Sequence, residues 1–118
     1  MNYDLEERTE KFGESVIEMV KSLKINEINK PLISQIIRSS TSIGANYVEA
    51  NQASSKKDFR NKVAISQKES NETKHWLRML AKANPDRKEE YKVLWKEAQE
   101  LVLIFGKIIS SCDKKLSN

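Results

Sequence analysis

The chain has 118 residues, 38% of them hydrophobic and 32% charged, with a formal net charge of +4 and one histidine. A single domain of this size buries a core without staples, and three Gly and two Pro leave too little punctuation for a many-stranded β fold. The lone Cys112 excludes an internal disulfide, the acidic opening Asp4-Leu5-Glu6-Glu7 is unlike a secretory signal, and no apolar run approaches the roughly 20 residues that span a bilayer.

The expectation is therefore one soluble, cytoplasmic domain over residues 1–118 with no membrane partner. Its charge is unevenly spread. Residues 1–29 carry four bases and seven acids, a net −3, whereas residues 54–83 carry eight bases and three acids, a net +5. The segments between and after them are each +1.

In the first segment Leu5, Phe12, Val16, Met19, Val20 and Leu23 recur at helical spacing. Asp4, Glu6 and Glu7 suit the positive end of the helix dipole, and Lys21 and Lys24 its negative end. Gly13 costs about 1 kcal/mol inside a helix relative to Ala, which points to a close neighbour at that turn. Ile25–Asn29 breaks the pattern and reads as a connection.

Asn29 can cap a second helix, with Pro31 in its first turn. Its apolar face is Leu32, Ile33, Ile36, Ile37, Ile43, Gly44, Tyr47 and Val48. Beside it runs a polar line, Gln35, Ser39, Ser42, Asn46 and Glu49, at heptad-like spacing. The line reads either as a solvated face or as a buried or subunit-facing seam that fixes register through satisfied hydrogen bonds. Small polar residues in a helix middle favour close packing by a neighbour.

Asn51–Ser54 reads as a turn, and Ser55-Lys56-Lys57-Asp58 resembles a capping box that opens a third helix. Phe59, Val63, Ser66, Ser70, Thr73, Trp76, Leu77 and Leu80 mark its inner side, again small and hydroxylated in the middle, so the middles of the second and third helices should face each other. Asn84-Pro85-Asp86 stops the chain and restarts it. In the fourth helix Tyr91, Leu94, Trp95, Ala98, Leu101, Val102, Phe105, Ile108, Ile109 and Cys112 keep an a/d rhythm, widened by Leu103 and Ile104, and Lys114–Asn118 reads as a frayed tail. Four long helices with short connections make an all-α, up-and-down four-helix bundle.

No catalytic constellation is present. His75 lies between Lys74 and Trp76 with no nucleophile or carboxylate at dyad spacing, so it reads as solvent-facing. Glu72-Thr73-Lys74-His75 has the Glu-x-x-His spacing of di-iron bundles once, where such a site needs it twice. Cys112 reads as a core residue and no phosphate-binding glycine loop occurs, so no metal or other cofactor is expected.

A different signal lies on the third helix. At about 100° per residue Lys56, Lys57, Arg60, Lys68, Lys74, Arg78 and Lys82 fall within roughly 120°, opposite the apolar side. Asp58, Glu69 and Glu72 share another flank, and Lys62 departs from the basic arc. Seven cations along about 40 Å can track a phosphate backbone by counterion release, without base readout. The plainer alternative is a solvated helix face. Trp76 and Trp95 sit at stripe edges, where packing at the rim of the core is the simplest role and base stacking the alternative.

The run Gln35-Ile36-Ile37-Arg38, then Ser42-Ile43-Gly44-Ala45-Asn46-Tyr47-Val48-Glu49, with Lys57-Asp58-Phe59, Ser70-Asn71-Glu72-Thr73 and Trp76-Leu77, resembles the four-helix-bundle family of proteins encoded in intervening sequences of bacterial 23S ribosomal RNA genes. The family usually has Gly after the position matched by Glu49, where this chain has Ala50. The resemblance implies a homo-oligomer, typically a pentameric ring, no established enzymatic activity and a proposed association with RNA. A related branch resembles accessory proteins of diversity-generating retroelements, which implies RNA or DNA and a reverse transcriptase as partners; the residues do not choose between the branches. Gln35, Arg38, Ser42, Asn46, Glu49, Ser70 and Glu72 are then expected to form a structural motif rather than a ligand site. The function expected is a non-enzymatic oligomer that binds RNA or DNA non-specifically through the basic face, with a protein-binding scaffold or adaptor as the alternative.

Overall fold

The computed structural model describes residues 2–117. Four helices, α1 (Asn2–Lys21), α2 (Asn29–Asn51), α3 (Lys56–Ala83) and α4 (Lys88–Ser117), run up and down, with a 3-10 turn over Pro85–Arg87. The bundle measures 51 × 22 × 20 Å, the length of its longest helices by two helix diameters. α3 lies along both α2 and α4, α1 packs on α2, and the α1–α4 seam is the lightest. The expected all-α four-helix bundle is the fold observed.

The apolar spacing accounts for the core. Val16, Ile36, Ile43, Tyr47, Val63, Leu77, Leu101 and Phe105 are fully enclosed, each of the larger ones worth roughly 1.5–3 kcal/mol of burial. The Tyr47 and Phe105 rings meet across the bundle with centroids 5.9 Å apart, tying α2 to α4. Leu23 lies beyond the end of α1 yet remains buried, so its spacing carried a core position past the helix itself.

Two glycines lie at the α1–α2 contact. A methyl group on Gly13 would stand 3.6 Å from the Ser40 carbonyl oxygen, an ordinary contact. On Gly44 it would stand 3.2 Å from Thr9 Oγ1, which is itself held by donating to the Glu6 carbonyl at 2.8 Å. Gly13 does have the close neighbour its cost predicts, but Gly44 has the tighter one.

The helix ends depart from expectation in two places. Asn29 does not cap α2. Asn26 Oδ1 accepts from the amides of Ile28 (3.1 Å) and Asn29 (2.7 Å), while the Asn29 side chain is buried and paired with Asn84 at the far end of α3. The two amides exchange bonds of 3.1 and 2.9 Å, and each also donates to a carbonyl, Lys24 for Asn29 and Leu80 for Asn84. A buried amide left unpaired costs about 1–3 kcal/mol, so the inward partner outweighs a cap that Asn26 can supply. The tail is the second departure: α4 continues to Ser117 rather than fraying at Lys114. Lys114 and Lys115 there suit the negative end of the helix dipole.

Gly13→Ala and Gly44→Ala gain the same helix propensity, about 1 kcal/mol, but only the second crowds a fixed side chain. Chemical denaturation should show Gly13→Ala stabilising by up to about 1 kcal/mol and Gly44→Ala stabilising less or destabilising. Equal shifts for the two would contradict the close α1–α2 contact at Thr9.

A candidate nucleic-acid interface on the third helix

The α3 helix starts where the sequence places it. Ser55 is extended, and its hydroxyl accepts from the Asp58 amide at 3.0 Å, fixing the phase of every residue that follows. Val63, Ser66, Ser70, Thr73, Leu77 and Leu80 face inward.

The hydroxylated middles of α2 and α3 do meet. Ser39 Oγ and Thr73 Oγ1 are 2.8 Å apart and fully buried, and Ser66 Oγ donates to the Ile43 carbonyl of α2 at 2.9 Å. Ser70 and Thr73 donate to carbonyls one turn back on α3, at 2.9 and 2.8 Å. Side chains this short let the helices approach while satisfying their own polar atoms.

The seven-residue motif divides into two parts. Ser42 Oγ and Asn46 Nδ2 donate to the Arg38 and Ser42 carbonyls of their own helix, Gln35 is exposed, and Glu49 accepts from Lys62 at 3.1 Å. Arg38 reaches across to α3, donating to Glu69 at 3.2 Å and to Glu72. These residues edge the α2–α3 contact from outside. Ser70 belongs to the buried interior instead, because two residues of helix turn it about 200° away from Glu72. The expectation that Ser70 and Glu72 act together is corrected on that ground, and Ser39, Ser66 and Thr73 are the hydroxyls that join the helices.

On the outward side of α3, Lys56, Lys57, Lys68, Arg78 and Lys82 are exposed. Arg60 and Lys74 are half-buried and engaged by α4. Arg60 donates to both oxygens of Asp113, at 2.8 and 3.2 Å, and Lys74 bonds Gln99 with its ammonium 4.8 Å from the centroid of the Trp95 ring. The structure therefore separates five solvent-facing cations from two that brace the α3–α4 seam. The acids are segregated as the helical phase predicts: Glu69 and Glu72 are held by Arg38 on the α2 flank, where Lys62 also lies. Sequence reasoning missed Lys88 and Lys92, which α4 places beside Arg78 in one groove. Their signal was the i, i+4 spacing ahead of Trp95.

His75 is exposed with its ring against Trp76, and Cys112 is half-buried near the end of α4 rather than in the core. Among the described residues no three His, Cys, Asp or Glu side chains gather to hold a metal, and no helix is long and apolar enough to cross a membrane.

The profile of the 23S rRNA-intervening sequence proteins matches residues 1–107. The chain belongs to that family. A crystal structure of a protein with unknown function from the S23 ribosomal protein family of Bacteroides thetaiotaomicron is similar throughout, with a TM-score of 0.77 and 34% identity over 88% of this chain and 96% of that one. No curated protein matches. Within this family fold, the exposed cations and the clasped acids described above occupy opposite flanks of one helix.

Asp113 reports the state of Arg60. The guanidinium's hydrogen bonds hold the Asp113 carboxyl below the usual carboxylate range. A depressed acid stabilises the fold above its ordinary pKa and loses that contribution as pH falls through its lowered value. In an NMR pH titration Arg60→Gln should raise the Asp113 pKa towards the ordinary value. An unmoved Asp113 would mean that Arg60 is as free as its neighbours on the stripe.

Proposed function

We propose that the protein is a non-enzymatic, self-associating bundle that binds RNA or DNA through the outward face of α3, without sequence preference. One observation carries the reading. Lys56, Lys57, Lys68, Arg78 and Lys82 are all exposed on α3, while its two midhelix acids are turned to α2, where Arg38 pairs with both. Such a face neutralises phosphates and offers no base-edge donors in fixed positions, so affinity depends on salt rather than on sequence. Membership of a family named for 23S rRNA intervening sequences supports RNA as the first partner to test. The cytoplasm is the compartment this reading requires.

Self-association, a pentameric ring by family resemblance, falls to another surface. Val93 and Leu103 on the outer side of α4 are 68% and 58% exposed and offer apolar surface to a second copy. The same exposed residues favour a second reading, in which the protein is a scaffold for a protein partner such as a reverse transcriptase.

Filter binding against salt distinguishes the two readings. Five phosphate contacts give a log–log slope of about −3.5 on single strands and about −4.5 on duplex. Lys68→Gln with Lys82→Gln should flatten that slope by about 1.4–1.8, while Arg60→Gln, already spent on Asp113, should change it far less. Absence of binding at low salt, or a slope indifferent to Lys68 and Lys82, would leave the scaffold reading in its place.

A further inference from the structure

The basic face of α3 runs, at its C-terminal end, into a groove between α3 and α4 of about 440 Å³, a volume ordinary for a small-ligand site. Its wall is apolar and aromatic, formed by Ala81, Tyr91 and Trp95, and its rim carries the cations Arg78, Lys88 and Lys92. Among the described residues no carboxylate lines it. Glu89 approaches Lys92 only at 3.8 Å and is itself in solvent, and Glu90 is engaged by Arg87 at 2.7 Å. Trp95 is half-buried; the Lys74 ammonium, bonded to Gln99, stands over one face of its ring, and neither Lys74 nor Gln99 lines the groove.

We infer that this groove takes an unpaired nucleobase of a single-stranded nucleic acid, stacked against Trp95, with the flanking phosphates on Arg78, Lys88 and Lys92. Two features commit it to that occupant. The first is charge complementarity: an aromatic wall with three cations and no acid matches a flat ring carried on a phosphate chain. The second is continuity, because Arg78 belongs both to the groove rim and to the exposed α3 face, so a strand lying along Lys68 and Lys82 is delivered to the groove. A duplex can use the face but cannot offer a base to the wall without unstacking it. The inference rests on the nucleic-acid reading above and narrows it from phosphate contact to preference for single strands.

The test is fluorescence titration of Trp76→Phe protein, in which Trp95 is the remaining tryptophan, with a short oligoadenylate, with the duplex of the same length, and with an acidic leucine-containing peptide. Oligoadenylate should quench Trp95 and bind several-fold more tightly than duplex. Measured by filter binding, because the change removes the fluorophore, Trp95→Leu should lower the single-strand affinity about tenfold and leave duplex affinity unchanged, as loss of one stacked base does. Lys88→Gln with Lys92→Gln, both at exposed positions, provides the same comparison without touching the packed wall. Equal affinities for single strand and duplex with no quenching would overturn the groove assignment and leave the phosphate-binding face standing. Binding of neither nucleic acid would remove both, and tighter binding of the peptide would assign the groove to a protein segment.

Discussion

The contact on which the other features depend is the buried meeting of hydroxyls between α2 and α3. Ser39 faces Thr73, and Ser66 reaches the Ile43 carbonyl, at points where a generic bundle would interdigitate leucines. Leucines tolerate sliding and rotation, since their contacts have no direction. A shift of register or rotation breaks the 2.8 Å contact of Ser39 with Thr73 and strands the Ser66 hydroxyl, whose bond is to the Ile43 carbonyl of α2, at a cost of about 1–3 kcal/mol. The seam therefore fixes which side of α3 faces inward, and by subtraction which side faces water.

Charged contacts at the edges of the bundle follow from that rotation. Arg38 clasps Glu69 and Glu72 on the α2 flank of α3, Arg60 pairs with Asp113 on the α4 flank, and Arg8 donates to Glu97 and Glu100 to close α1 on α4. Surface pairs of this kind contribute little each, about 0–1 kcal/mol. Their larger effect is on the electrostatic character of each face. By holding the acids of α3 on one side, they leave Lys56, Lys57, Lys68, Arg78 and Lys82 as an outward surface of one sign. Among the described residues no such clasp joins α1 to α2, and the close approach there is at Gly44, against Thr9.

Helical phase made much of this legible in the sequence. Val63, Leu77 and Leu80 could be placed inside, and the cations apart from the acids, because rotation about one helix axis is a local property. What phase does not carry is the identity of the neighbour. Asn29 reads as a cap until Asn84, 55 positions away, is seen across from it. Arg60 and Lys74 read as members of the stripe until Asp113 and Trp95 arrive from α4. Ser70 and Glu72 are close in sequence, yet the helix points them apart. The phase of α3 alone does not reveal Lys88 and Lys92, because the basic surface is completed by two helices.

The central claim is that one face of α3 meets nucleic acid while its opposite flank is engaged within the bundle. Lysine acylation mapped by mass spectrometry, with and without bound RNA, tests this residue by residue. RNA should protect Lys56, Lys57, Lys68 and Lys82 and leave Lys62, paired with Glu49 on the α2 flank, unchanged. Protection of Lys62 with Lys68 and Lys82 still reactive would contradict the account.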